Sequence, residues 1–289
     1  MTAMTLTLVL ALALLVGLSL GLLGGGGSIL TVPLLVYVAG MDAKEAIATS
    51  LFVVGVTSAV GMINHARGGR VRWRTGVLFG AAGMAGAYTG GLVGGHIPDT
   101  VLLIAFAVMM IVTAGAMLRG RREVDPDRAH RQIPVGRVLL DGAAVGLATG
   151  LVGAGGGFLV VPALALLGGL PMPVAVGTSL LVIAMKSAAG FTGYLSTVKI
   201  DWSLTLAVTA FAVVGSLVGA RLAGRVPAHV LSRLFAWFVL AMGAFVLVQQ
   251  APAHIGVPIL AALASLGAGA GVCYGFVARC PLRRAVQRT

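Results

Sequence analysis

Acidic side chains are scarce in this chain, with 8 Asp and Glu against 20 Lys and Arg in 289 residues. Asp42, Glu45, Asp99, Glu123, Asp125, Asp127, Asp141 and Asp201 all read as loop or span-end positions, as do the five histidines. Cation pumps and channels place carboxylates inside the membrane, so that class lacks its usual machinery here. Cysteine is nearly absent: Cys273 and Cys280 have no His or acidic neighbours at ligand spacing, so they define no metal site and read as packing residues. HExxH, GxSxG with a usable base and paired intramembrane aspartates are missing, which argues against an enzyme. The Gly24–Gly27 run lacks the Lys-Ser/Thr of a phosphate-binding loop, so nucleotide-driven transport would need a separate subunit. Strictly alternating apolar and polar segments are also lacking, and with them the signature of a membrane β-barrel.

What the chain does have is apolar length. Hydrophobic residues make up 58 % and charged residues 10 %, and apolar runs long enough to cross the hydrocarbon recur along nearly the whole sequence. The pattern predicts an all-α integral membrane protein, a polytopic helix bundle with spans near 43–64, 76–95, 100–118, 172–194, 203–224, 229–249 and 254–276. Two interrupted units, 4–39 and 137–168, complete it. In a soluble protein the net charge of +12 would suggest nucleic acid. Here the arginines occupy short loops between spans, where they set topology, and no nucleic-acid partner is expected. A removable signal peptide is not expected either, because Met1–Thr7 has no basic region and no small-residue cleavage site follows.

Shifting the sequence by 129 residues aligns 21–102 with 150–231 without a gap. Matches include Gly24/Gly153, Gly26/Gly155, Gly27/Gly156, Pro33/Pro162, Thr49/Thr178, Ser50/Ser179, Ser58/Ser187, Gly61/Gly190, Trp73/Trp202, Gly86/Gly215 and Pro98/Pro227. The chain therefore reads as a duplication: a first transmembrane repeat over 4–118, a basic cytoplasmic linker over 119–136, a second repeat over 137–249, and an extra span with a basic tail over 250–289. Orientation follows from the basic residues. If each interrupted unit enters the membrane and returns to the same face, every arginine falls on one face and the other keeps only Lys44 and Lys199. Cytoplasmic loops carry the Lys/Arg excess, so re-entrant units are favoured, and three crossings per repeat then make the two repeats inverted. The paired loops agree: 65–74 is strongly basic where its counterpart 194–201 is neutral, and 94–99 against 223–229 shows the reverse.

Each unit is interrupted by glycines, "GLLGGGGSILTVP" at Gly21–Pro33 and "GLVGAGGGFLVVP" at Gly150–Pro162. Non-helical backbone at membrane depth survives only where protein or a water-filled cavity satisfies it, and a matched pair of breaks points to a transporter's substrate site. Glycine also serves close helix packing, which accounts for Gly83/Gly86/Gly90 and Gly215/Gly219; packing spacing does not require a run. The candidate anion-binding residues are Gly24, Gly25, Gly26, Gly27 and Ser28 at the first break and Gly153, Gly155, Gly156 and Gly157 at the second. To these the hydroxyl pairs Thr49/Ser50 and Thr178/Ser179 add donors suited to an oxyanion, unless they merely bond their own helix backbone. Lys186, within "TSLLVIAMKSAAG", is the one charge well inside a span. An intramembrane lysine is a functional candidate by default, with snorkelling toward a span end as its alternative. Its repeat counterpart is Thr57, so a role for it would be asymmetric.

The doubled glycine motif at fixed spacing from a TSL element, with a basic linker between copies, resembles the TauE/SafE family of sulfite and organosulfur-anion exporters over roughly Leu6–Val248. The resemblance implies a multi-pass plasma-membrane permease for a small sulfur-containing anion such as sulfite, sulfoacetate or thiosulfate, bound near the midplane at the two breaks. An anion channel using the same pocket is the alternative. Basic loops and the C-terminus are expected in the cytoplasm. The partners are the anion and the lipid bilayer, with H+ or Na+ as candidate coupling ions and homo-oligomeric assembly left open; no metal or cofactor is expected.

Overall fold

A computed structural model describes residues 3–23, 26–118, 135–153, 172–222 and 228–250, with 156, 157, 160 and 164 between them. The described secondary structure is all helical. Helix α1 (Ala3–Leu23) is followed by a 3-10 turn (Gly26–Leu30), a single α turn, α2 (Thr31–Pro33), and a wide π turn (Leu34–Val38). Pro33 lacks the N–H needed for a regular ladder, and the chain widens behind it: Ala39 N–H bonds Leu34 O at 3.1 Å and Met41 N–H bonds Leu35 O at 3.0 Å. Then come α3 (Ala43–Arg67), α4 (Trp73–Gly94), α5 (Asp99–Leu118), α6 (Val135–Val152), α7 (Met172–Tyr194), α8 (Trp202–Leu222) and α9 (Ala228–Gln250). The linker over 119–134, the last span near 254–276 and both cysteines lie outside the described residues.

Among the described residues five helices are long and apolar enough to cross a membrane: Ala3–Leu22, Ala43–Arg67, Trp73–Gly94, Val174–Tyr194 and Trp202–Leu222. Asp99–Gly115, Leu139–Val152 and Ala236–Gln250 form shorter apolar stretches. This is a multi-pass membrane protein. Asp141, read from sequence as a span-end residue, sits within α6, because that helix already starts at Val135.

Helix starts repeat with the spacing of the sequence duplication, at 43 and 172, 73 and 202, and 99 and 228. Packing repeats as well. α4 lies against α6, and α8 lies against α1, each pair joined through glycines where a side chain would strike the facing backbone. Gly17 meets Ala212 and Gly21 meets Ser216; displaced by 129 residues, Gly146 meets Gly83 and Gly150 meets Ala87. Likewise Gly215 against Leu14 is matched by Gly86 against Ala143. In all of these pairs both numbers rise together, so the helices run parallel. Small residues allow such close approach, and in lipid it replaces a hydrophobic drive between helices.

α3 and α7 behave differently. Gly190 faces Leu51, Gly55 faces Ser187, and Gly61 faces Leu180; as one number rises the other falls, so these two counterparts cross antiparallel. At one end of α3, the Lys44 ammonium lies 3.7 Å from the Asp99 carboxylate and Glu45 accepts a hydrogen bond from Asp201 N–H at 3.1 Å. At the other end, the basic turn after Arg67 meets the start of α7, where Arg72 N–H bonds Thr178 Oγ1 at 3.0 Å. An aromatic cluster of Phe52, Phe191 and Trp202 joins α3, α7 and α8 with centroids 5.2–6.1 Å apart.

Candidate functional site

Helix α6 stops at Val152 because Gly153 enters the left-handed region at φ +72, and Gly156 follows at φ +68. Both conformations suit glycine and strain any other residue. A helix C-terminus leaves carbonyls without intrahelical partners, and here each finds a specific donor. Gly153 N–H takes Thr149 O at 3.0 Å, Tyr194 Oη–H takes Leu151 O at 2.7 Å, and Ser50 Oγ–H takes Gly153 O at 2.8 Å. Beyond the break, Gly156 O accepts Val160 N–H at 3.0 Å.

Lys186 comes to this break. Its side chain is 1 % exposed, and Nζ donates to Thr149 Oγ1 at 3.2 Å while the Thr149 hydroxyl donates to Val145 O at 2.8 Å. A side chain at Gly156 would strike both the Lys186 ammonium and Thr149, and Gly83 of α4 closes the same space. No carboxylate pairs with Lys186 among the described residues, where the ion pair formed is Lys44–Asp99. A buried ammonium held by one hydroxyl is under-compensated, since burial of charge is costly without a counter-charge. The arrangement presents a positive centre, shielded from water, to whatever approaches the glycine break.

The other candidates divide. Gly153, Gly156 and Lys186 are brought to one locus, and Gly157 adjoins it in sequence. Ser50 reaches the same break, but its hydroxyl proton is committed to the Gly153 carbonyl, so it fixes the backbone. Thr49 Oγ1 lies 3.4 Å from Thr205 Oγ1 between α3 and α8. Thr178 serves the basic turn through Arg72 N–H, and Ser179 bonds Val176 O of its own helix at 2.7 Å. These three are not drawn to the second break. Gly26 and Gly27 begin the 3-10 turn and Ser28 within it is buried; Gly24, Gly25 and Gly155 lie outside the described residues.

Depth differs from the expectation of a pocket strictly at mid-membrane. Gly153 sits beside Ile47 and Ser50, about 6–10 Å along α3 from its first residue at 1.5 Å per residue, nearer the Lys44 end than the middle. A shallow depression of about 460 Å³ lined by Met4, Thr5, Thr7, Leu8 and Ala11 lies on α1 and is almost wholly apolar, so it suits acyl chains rather than an anion.

Two contributors went unread in the sequence, Thr149 and Tyr194. A signal for both existed in the repeat alignment, where they stand opposite Leu20 and His65: a polar group in one copy against a group of other character in its counterpart.

A family model described as Sulfite exporter TauE/SafE matches residues 9–246. A Xylella fastidiosa (strain 9a5c) protein named "Probable membrane transporter protein" is 36 % identical over 254 residues, covering 86 % of this chain and 97 % of its own. A protein of Methanocaldococcus jannaschii with the same descriptive name is 30 % identical over 200 residues, covering 65 % of this chain and 73 % of its own. No solved structure matches the chain.

Proposed function

The chain belongs to the TauE/SafE family, and on that premise we propose that it is a secondary transporter of a small anion, sulfite or an organosulfur anion, held beside the second glycine break by Lys186. The observation that carries this reading is the buried Lys186 ammonium, against Gly156, with a hydroxyl and no carboxylate for company. An anion entering there supplies the missing counter-charge, and glycine lets it approach the main chain. Hydrogen bonds to a charged group contribute about 1.5–3 kcal/mol. Lys186→Met, which keeps the apolar stem, is therefore expected to weaken binding by roughly 10- to 100-fold with little loss of folded protein. Lys186→Arg is expected to retain part of the affinity, since charge survives while shape changes. Calorimetric titration of the purified protein with sulfite, thiosulfate and sulfoacetate measures this, and unchanged affinity in Lys186→Met overturns the site. Saturable counter-transport of the bound anion in proteoliposomes is expected; unsaturable flux would make the protein a channel.

The same reading includes two inverted repeats with re-entrant units at the breaks, joined by the basic linker, in the plasma membrane. The antiparallel crossing of α3 with its counterpart α7 supports inversion. So does the grouping of loop ends, with Asp99 and Asp201 beside Lys44 and Glu45, and the arginine-rich turn beside the start of α7. Single cysteines at Arg70 and Arg225 are expected to be labelled from the cytoplasm, and single cysteines at Ile97 and Lys199 from outside. Labelling of positions 70 and 225 from opposite faces rules out inversion.

A further inference from the structure

This inference rests on the anion site proposed above and concerns how that site keeps its shape. We propose that Tyr194 is a positioning residue, whose hydroxyl fixes the last turn of α6 against α7 and so sets the separation between the Lys186 ammonium and the second glycine break.

Lys186 and Tyr194 stand two helical turns apart on α7, and both reach the last turn of α6, one at the Thr149 hydroxyl and the other at the Leu151 carbonyl. One contact alone would let the end of α6 slide or rotate. Two contacts at different heights fix it, and they hold it to the same helix that carries the charge. The phenol is fully buried, at 0 % exposure, and its 2.7 Å bond to Leu151 O satisfies a carbonyl that α6 leaves open on ending. Space for the hydroxyl comes from α4, because a side chain at Gly94 would collide with the phenolic oxygen. α4, α6 and α7 thus meet at one hydrogen bond, two residues before the left-handed turn at Gly153. From α3, Ser50 grips the next open carbonyl, that of Gly153 itself. A recognition group delivers its full effect only when its supporting contacts hold it in place. The phenol touches no part of the anion locus directly, so its influence on binding travels through the position of the break.

A double-mutant cycle in the full-length purified protein separates this role from ordinary packing, using whichever of sulfite, thiosulfate and sulfoacetate wild type binds most tightly. Tyr194→Phe keeps the ring and removes the hydroxyl. With Lys186 present it is expected to weaken affinity about tenfold, the scale of one buried hydrogen bond. In the Lys186→Met background it is expected to change affinity less than about twofold, because no ammonium remains to be held in register. Gly94→Ala, which displaces the phenolic oxygen without altering Tyr194, is expected to reproduce both results and carries the test if the phenylalanine variant misfolds. Equal losses in the two backgrounds, or no loss with Lys186 present, overturn the positioning role. Unchanged affinity in Lys186→Met alone overturns the anion site itself, so the two failures are told apart.

Discussion

The two glycine breaks occupy equivalent places in a duplicated sequence, yet their surroundings differ in chemistry. At the second, Lys186, Thr149 and Tyr194 converge on the end of α6. Displaced by 129 residues, the same positions hold Thr57, Leu20 and His65. Thr57 donates to Val53 O of its own helix at 2.7 Å, Leu20 is buried among apolar residues, and His65 Nδ1 is buried without a partner. Duplication has kept the glycines and the helix contacts while placing the charge on one side only. Backbone geometry and ligand chemistry are therefore separable: the first follows the repeat, and the second follows individual substitutions within it. A transporter that must bind one anion at a time has use for two matched hinges, and one charged centre suffices.

The largest effect expected from this asymmetry is at Gly156. Gly156→Ala forces a side chain into a left-handed conformation, costing about 1–2 kcal/mol, and drives it into Lys186 and Thr149. Transport is expected to fall to background in proteoliposomes while the protein still inserts. Gly27→Ala, the same change at the matching position, meets Thr57 in place of the lysine's position and is expected to leave substantial flux. Equal loss in both variants would mean that the breaks act through backbone alone and that the charge asymmetry carries no function.

Much of the fold was legible because membrane helices advertise themselves by apolar length. The expected spans 43–64, 76–95 and 172–194 meet helices at Ala43–Arg67, Trp73–Gly94 and Met172–Tyr194, with ends differing by a few residues where polar or aromatic residues continue the helical ladder. Gly153 and Gly156 were legible because left-handed turns demand glycine, and Lys186 because charge is conspicuous among apolar residues. The hydroxyls were harder. A threonine or serine in a membrane helix reads the same whether it bonds its own backbone, as Ser179 does, or a distant carbonyl, as Ser50 does. Only the packing of α3 against the end of α6 distinguishes the two. Tyr194 was hidden for a related reason: at a span end an aromatic ring suggests an interfacial anchor, whereas this one turns inward to a carbonyl that becomes available only because α6 breaks two residues later.

That distinction between look-alike serines yields the smallest and sharpest test. Ser50 and Ser179 are counterparts in the repeat, both fully buried and both followed by leucine. Ser50→Ala removes a bond across the repeats and strands the Gly153 carbonyl, a loss of about 1–3 kcal/mol for a buried group left unsatisfied. Ser179→Ala removes a bond to Val176 O within α7, a carbonyl already available to the helix ladder, and is expected to change stability by less than about 0.5 kcal/mol. Thermal unfolding in detergent should therefore show a lowered midpoint for Ser50→Ala and an almost unchanged one for Ser179→Ala. Anion affinity is expected to drop a few-fold, about 2- to 5-fold, in Ser50→Ala alone, because a loosened Gly153 lets the break drift from Lys186. Identical behaviour of the two variants would show that the cross-repeat bond contributes nothing to holding the break, leaving Tyr194 and Gly153 N–H as its remaining restraints.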